Sequence, residues 1–252
     1  MAKETASPEF SGIVDAHAHS DRKFSWEHTP EQVVAMMEEC GIVQSVLTSY
    51  WDLPSDADPE ALPRFRSILR KCKGKFLGFL RANPNSAGAQ ELLTDLAKSK
   101  EIKGLKLNPM TTSVLPFSEK MIQIVKLASE LGLPTLFHSG DDPFSNPLQI
   151  EKVARLCPAA TIILGHMGGF FYVDEAIRVV KRNSNVFLET SVMPYPSLIR
   201  IACKTLGPQK IFFGSDSPGV HPRIEIQKII SSGLNSEDQS EILTSSFLRL
   251  LN

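Results

Sequence analysis

Apolar residues in this chain keep two rhythms that alternate from end to end. Short runs rich in β-branched and aromatic residues fall at Ile13–His19, Val43–Ser49, Phe76–Arg81, Ile102–Leu107, Pro134–His138, Thr161–His166, Val186–Thr190 and Ile211–Asp216. Many are nearly unbroken apolar stretches, as expected of parallel strands covered on both faces. Between them the apolar positions recur every three or four residues, as on one face of a helix. Val33, Met37 and Cys40 make one such stripe, and Met121, Ile124, Val125, Ala128 and Leu131 a second. Val173, Ile177 and Val180 make a third, and Ile226, Ile229 and Ile230 a fourth.

Helix boundaries are marked as well. Thr29-Pro30-Glu31-Gln32 offers an N-cap residue, proline at the first helical position and glutamine at the third. Gly41 and Gly132 stand where helices should stop. Ser118 is expected to cap the second striped helix. Ser236 and Gln239 have the spacing of a capping box, opening a terminal helix through Ile242, Leu243, Phe247 and Leu250. Helix signals are weakest between Arg81 and Ile102, while Asp52–Pro63 and Asn108–Pro116 look like loops that follow strands. Eight strand–helix alternations favour a closed parallel barrel over an open doubly wound sheet. The predicted class is therefore α/β, a (β/α)8 TIM barrel with a C-terminal helix. The 252 residues suit one such barrel. No repeat or linker argues for a second domain, so 1–252 reads as one unit, with 1–10 as a flexible tail.

Composition narrows the function classes. With 42% hydrophobic and 22% charged residues the chain resembles an ordinary soluble protein, and a net charge of −1 gives no reason to expect nucleic acid as a partner. Cys40, Cys72, Cys157 and Cys203 are scattered, which argues against a thiolate zinc site and against a disulfide framework. There is no apolar signal core near the N-terminus and no run of the ~18 apolar residues that suggests a membrane span. A cytoplasmic protein with no membrane partner is the expectation.

The chemistry gathers at strand ends. His17 and His19 are two residues apart on a strand and so project to the same side, which suits a cation held by two imidazoles. His138, His166 and Asp216 end the predicted fifth, sixth and eighth strands. In a parallel barrel the carboxyl ends of the strands carry the active site, so all five belong to one rim. Core histidines scattered at random would not collect there. His17, His19, His138 and Asp216 read as a metal-ligand set that leaves one position open to a water with a pKa of roughly 7. Asp216 could accept that water's proton and pass it to a leaving group. His166 could polarise a carbonyl oxygen or orient the nucleophile.

Five segments together resemble a known family: Val14-Asp15-Ala16-His17-Ala18-His19, Gly104-Leu105-Lys106-Leu107-Asn108-Pro109, Pro134-Thr135-Leu136-Phe137-His138-Ser139-Gly140, Gly165-His166-Met167-Gly168-Gly169 and Gly214-Ser215-Asp216. The ordered set is similar to the metal-dependent amidohydrolase superfamily, in particular the amidohydrolase-related branch that contains aminocarboxymuconate-semialdehyde decarboxylase. The resemblance implies a distorted barrel with a catalytic divalent cation, usually zinc. It assigns His17, His19, His138 and Asp216 to the metal and His166 to the bound water or a second metal.

Lys106 stands where some superfamily members carry a carboxylated lysine that bridges two metals. A free ammonium ~6 Å from Zn²⁺ would be repelled by roughly 5 kcal/mol at an effective dielectric near 20. A neutral amine, a carbamate, or a side chain turned toward substrate or Glu189 would each relieve that. The expectation is one Zn²⁺ with Lys106 serving the substrate; a second metal through Lys106 and His166 is the alternative.

Neighbouring residues fill in the picture. Asp15 is expected to be a buried hydrogen-bonding group, and Glu189 and Ser191 to orient a ligand histidine. Arg81 could grip an anionic substrate or pair with a neighbouring loop. His28 and His221 read as solvated loop residues. Tyr50, Trp51, Met110, Phe170, Phe171, Tyr172, Met193 and Tyr195 follow strands and suggest a partly aromatic pocket for a small cyclic or aromatic substrate. The predicted function is hydrolysis of an amide, lactone or ester in a small molecule. The alternative is non-oxidative decarboxylation of a small aromatic or unsaturated acid. A deoxyribonuclease is disfavoured by the charge, and a purely structural zinc barrel by an open, cysteine-free site. A homodimer is admitted.

Overall fold

The computed structural model describes residue 10, residues 12–23 and residues 26–251. Eight parallel strands follow one another around a barrel in sequence order: β1 (Ile13–His19), β2 (Ile42–Thr48), β3 (Phe76–Arg81), β4 (Ile102–Leu107), β5 (Thr135–Phe137), β6 (Ile162–Leu164), β7 (Val186–Glu189) and β8 (Ile211–Phe212). The barrel is distorted where it closes. β8 is only two residues long, and the irregular chain beyond it completes the seam with β1. There Ala16 N donates to Phe213 O (2.8 Å), Asp216 N to His17 O (2.7 Å) and His19 N to Ser217 O (2.6 Å). Three of the predicted sites lie just past their strands instead of on them: His138, His166 and Asp216 occupy the turns that follow β5, β6 and β8.

The outer layer consists of α1 (Pro30–Glu39), α2 (Ala61–Lys71), α3 (Ala89–Ala97), α4 (Glu119–Glu130), α5 (Pro147–Leu156), α6 (Val173–Arg182), α7 (Pro196–Leu206) and α8 (Pro222–Ile230). The Thr29 capping box is complete, with Gln32 returning the bond to the Thr29 backbone. α3 fills the stretch where signals were weakest; Gly88, without a side chain, stands at its N-cap. The terminal helix is capped by Asn235, not by Ser236. Asn235 accepts from Asp238 N, while the Gln239 amide is spent on the Ile230 and Leu234 carbonyls (3.2 and 2.9 Å). Asn108–Pro116, expected as loop, holds a helical turn at Pro109–Thr112 capped by Asn108.

The core has two layers. Apolar faces of the helices pack on the outside of the strands, and a second cluster of Val14, Ala16, Val46, Phe79, Leu136, Ile163 and Phe212 fills the barrel interior. Phe247 of the C-terminal helix joins it, 5.3 Å from the Phe212 ring and 6.2 Å from Phe79. Gly104 makes this possible, since a Cβ there would be built into the Phe79 ring. The barrel is thus plugged by apolar side chains at one level, and above it the interior turns polar. The tail expected at 1–10 lies outside the described residues except for Phe10, which packs against the core. Among the described residues no helix is long and apolar enough to cross a membrane.

Candidate metal centre

The polar level begins with Asp15, which is fully buried on β1. Its carboxyl accepts from His17 N (3.0 Å), Ser215 N (2.9 Å) and Ser215 Oγ (2.6 Å), stapling β1 to the segment past β8. Burial raises its pKa to about 7, against the pull of these bonds. This matches the hydrogen-bonding role expected of it.

Two strand positions further on, His17 donates from Nδ1 to Glu189 Oε2 at 3.0 Å. Glu189 ends β7 with no exposed surface and is the hub of the site. Oε2 also accepts from His166 N (3.2 Å) and Ser191 Oγ (3.0 Å), and Oε1 takes the Ser191 N–H. Gly214 leaves room for it, because a Cβ there would be built into the Glu189 carboxylate. His19 is fixed in the same manner, with Nδ1 2.8 Å from Thr48 Oγ1 and 3.2 Å from Thr48 O, and with the Tyr50 ring stacked on it at 4.8 Å.

With their Nδ1 atoms engaged, both imidazoles turn Nε2 toward Asp216. His19 Nε2 is 3.1 Å and His17 Nε2 3.4 Å from Asp216 Oδ1. Ligand atoms of His17, His166 and Asp216 all lie within 4.8 Å of one another. Lys106, 1% exposed, reaches in from β4 to place Nζ 3.0 Å from His17 Nε2.

His138 belongs to the same group but is turned differently. Its Nδ1 is 3.0 Å from His166 Nε2 and its Nε2 is 2.6 Å from Asp141 Oδ2. The two histidines meet because their turns are locked together. Gly140 lies directly against the backbone of Gly168 and Gly169, where any Cβ would clash. Ser139 Oγ donates to Gly165 O (2.5 Å) and accepts from Gly168 N (3.2 Å), and the Tyr172 hydroxyl donates to Asp142.

Backbone strain collects on this rim. His166 (φ 61°), Met167 (φ 50°), Val192 (φ 63°) and Asp216 (φ 55°) are all left-handed without being glycine. Such positions cost of the order of 1–3 kcal/mol each and persist only where the surroundings enforce them.

The remaining candidates sit apart from the donor set. Arg81 is committed to Asp52 (2.8 Å) and Thr111 Oγ1 (2.9 Å), the neighbouring-loop pairing that was one of its two expected roles. His221 caps α8 through Arg223 N. Phe170 and Phe171 are exposed, and Phe170 meets the Tyr195 ring at 5.3 Å. Asp141 and Thr48 were missed in the sequence. A carboxylate three residues after a strand-end histidine could have flagged Asp141; nothing in the pattern singles out Thr48.

The family model described as amidohydrolase matches residues 14–243. This chain belongs to the amidohydrolase family. Among solved structures it is similar to a dihydroxybenzoic acid decarboxylase from Polaromonas with bound manganese and the inhibitor 2-nitroresorcinol (14% identity, 96% of this chain and 97% of that one, TM-score 0.76). It is also similar to 5-carboxyvanillate decarboxylase from Sphingomonas paucimobilis (13%, 95% and 98%, 0.73). A third is a Pseudomonas putida protein assigned as a 2-pyrone-4,6-dicarboxylic acid hydrolase (17%, 96% and 98%, 0.73). At these identities the likeness is one of fold. No curated protein matches the sequence.

The electrostatics of this amidohydrolase suit a cation site. Burial holds the His17 pKa far below the ordinary histidine value, with the Lys106 charge adding to it. Burial, then His138, brings His166 down to about 3, and burial lowers His138 against the pull of Asp141. Burial pushes Asp216 upward, but His17 and His19 outweigh it and hold the carboxyl well below its usual range. Near neutral pH the imidazoles therefore carry lone pairs and Asp216 a negative charge, which are the forms a metal requires. A depressed histidine pKa preserves the neutral ring as pH falls. Nitrogen NMR of the six histidines should accordingly show His17 and His166 untitrated from pH 8 to about 5. A midpoint near 6.5 for His166 would contradict this picture.

Proposed function

We propose that this amidohydrolase is a metal-dependent hydrolase of a small carboxylated molecule with an amide, lactone or ester bond. The observation that carries the reading is the convergence of His17 Nε2, His19 Nε2 and Asp216 Oδ1, with each imidazole anchored through its other nitrogen. Two lone pairs and a carboxylate oxygen aimed at one another call for positive charge between them, and the Lys106 ammonium, on His17 Nε2, meets only one side of that demand. The donor set therefore fits a divalent cation, and nitrogen–oxygen ligands with neutral imidazoles suit zinc or manganese. We assign His17, His19 and Asp216 to it, with His138 and His166 as the adjoining pair from which further ligation would come. Such a cation supplies Lewis acidity that polarises a substrate oxygen and acidifies water.

The chain's own residues do the rest. Asp216, ionised and at the mouth, accepts a proton from the attacking water and returns it to the leaving group. His166 is fixed by Ser191 Oγ, 2.8 Å from Nδ1, and holds His138 through Nε2 (3.0 Å), so the pair is set to orient the substrate oxygen. Lys106 is a buried cation beside the reaction centre, with burial lowering its pKa to about 8, and it serves as the partner for a substrate carboxylate. Tyr50 adds an aromatic face against His19.

A second reading is non-oxidative decarboxylation on the same residues, with water giving up a proton, relayed through Asp216, to the carbon that loses its carboxylate as carbon dioxide. The Lys106 cation and the two decarboxylase-like structures favour it. Incubating Zn²⁺- or Mn²⁺-loaded protein with pyrone lactones and with hydroxybenzoic acids separates the readings. Ring opening with base uptake supports hydrolysis, and carbon dioxide release supports decarboxylation. No turnover in either set, by protein that binds metal, would overturn both substrate classes.

A further inference from the structure

His17 Nδ1 gives its hydrogen to Glu189, so Nε2 has one lone pair to offer, and Lys106 Nζ lies 3.0 Å away on it. A single imidazole lone pair cannot serve an ammonium and a metal at once. We infer that Lys106 is an internal competitor for the metal site, so that it sets how tightly a divalent cation is held. The inference rests on the metal-binding reading above.

The surroundings make the competition strong. Lys106 is 1% exposed, so its ammonium cannot simply retreat into solvent when displaced from His17. Its register neighbour on β3, Arg81, already occupies Asp52, which commits that carboxylate elsewhere. Asp216 and Glu189 are the anions whose fields act on Lys106 most, and both serve the His17 cluster themselves. A bound metal would therefore leave Lys106 cationic and poorly satisfied beside a second positive charge. An incoming carboxylate relieves that conflict. Metal and anion binding are then coupled through Lys106, each tightening the other.

Calorimetric titration of chelator-treated protein with Zn²⁺ alone, and again in the presence of benzoate, tests the idea. Lys106→Met removes the charge and the terminal Nζ while keeping most of the length of the side chain. It should bind Zn²⁺ roughly ten- to a hundredfold more tightly than wild type, the range expected for losing one charged hydrogen bond. Benzoate should tighten Zn²⁺ binding in wild type and do so much less in Lys106→Met. Equal or weaker binding by Lys106→Met would overturn the inference, weaker binding pointing to lysine as a ligand. If that variant does not fold, Lys106→Gln repeats the comparison. In unmodified protein, nitrogen NMR should then show the Lys106 Nζ signal move as Zn²⁺ saturates; an unmoved signal would equally refute the competition. His17→Ala separates the two levels of argument. If no His17-dependent binding appears in wild type or in either Lys106 variant, the metal assignment itself fails. If it appears with the same affinity in all three, only the competition does.

Discussion

Asp216→Asn should retain the barrel and lose about a thousandfold or more in turnover, measured in whichever of the two substrate assays registers the wild-type enzyme. The fold should survive because asparagine has the same shape and is among the few residues that tolerate a left-handed backbone, which Asp216 adopts at φ 55°. Its backbone N–H bond to His17 O, part of the barrel seam, is untouched. What disappears is the charge that faces two imidazoles and the base that accepts a proton. General-base removal alone accounts for roughly 10²–10⁴-fold, and loss of an anionic ligand adds to it. Asp216→Ala should behave differently. Alanine resists the left-handed region, so part of its defect should show as lower stability by chemical denaturation. Full activity in a folded Asp216→Asn would remove the proton transfer assigned to this residue.

How much of this was written in the linear chain differs by level. All eight barrel strands were legible because strands buried on both faces need unbroken apolar runs, and few loops imitate that. The first four agree with the structure to within one residue at each end. The later ones are shorter than the apolar runs, for a physical reason: the chain leaves the ladder early to place a side chain. Past β8, Phe213 is still buried and apolar, yet the backbone is already bending toward the left-handed turn at Asp216. Apolar content records burial, not hydrogen-bond pairing, so the pattern overran.

The cap at Asn235 shows the same limit in local chemistry. Asn235 and Ser236 are equally good caps in isolation, and the choice fell to Gln239, whose amide is held by two backbone carbonyls far from any box. For the site, strand-end positions located the histidines, Lys106 and Asp216. They could not tell which way each ring turns. That His138 would direct Nε2 to Asp141, and that Lys106 would meet His17 instead of Glu189, depends on contacts between segments distant in sequence.

Glu189→Gln should weaken both the fold and the metal site through a single-atom change, even though Glu189 need touch neither metal nor substrate. Its two oxygens face only donors: the His17 imidazole, the backbone N–H groups of His166 and Ser191, and the Ser191 hydroxyl. An amide must place its NH₂ at one of those oxygens. Whichever end it takes, a donor then confronts a donor around a side chain with no exposed surface. Such a mismatch costs about 1–3 kcal/mol of stability. The consequence for the metal follows from the tautomer. Glu189 Oε2 holds the His17 proton on Nδ1; a neutral amide oxygen in its place holds that proton less firmly, so it moves more readily to Nε2 and closes the lone pair that should bind the cation. Loss of a partner that orients a ligand histidine typically weakens metal binding 10–100-fold. Thermal denaturation and Zn²⁺ calorimetry on the same preparation should register both effects. Thr48→Val, which removes one hydroxyl beside His19 but leaves the Thr48 carbonyl in reach, should produce a visibly smaller loss. A folded Glu189→Gln protein that binds Zn²⁺ as tightly as wild type would show that the carboxylate does not set the His17 tautomer, and the proposed ligand geometry would have to be rebuilt without it.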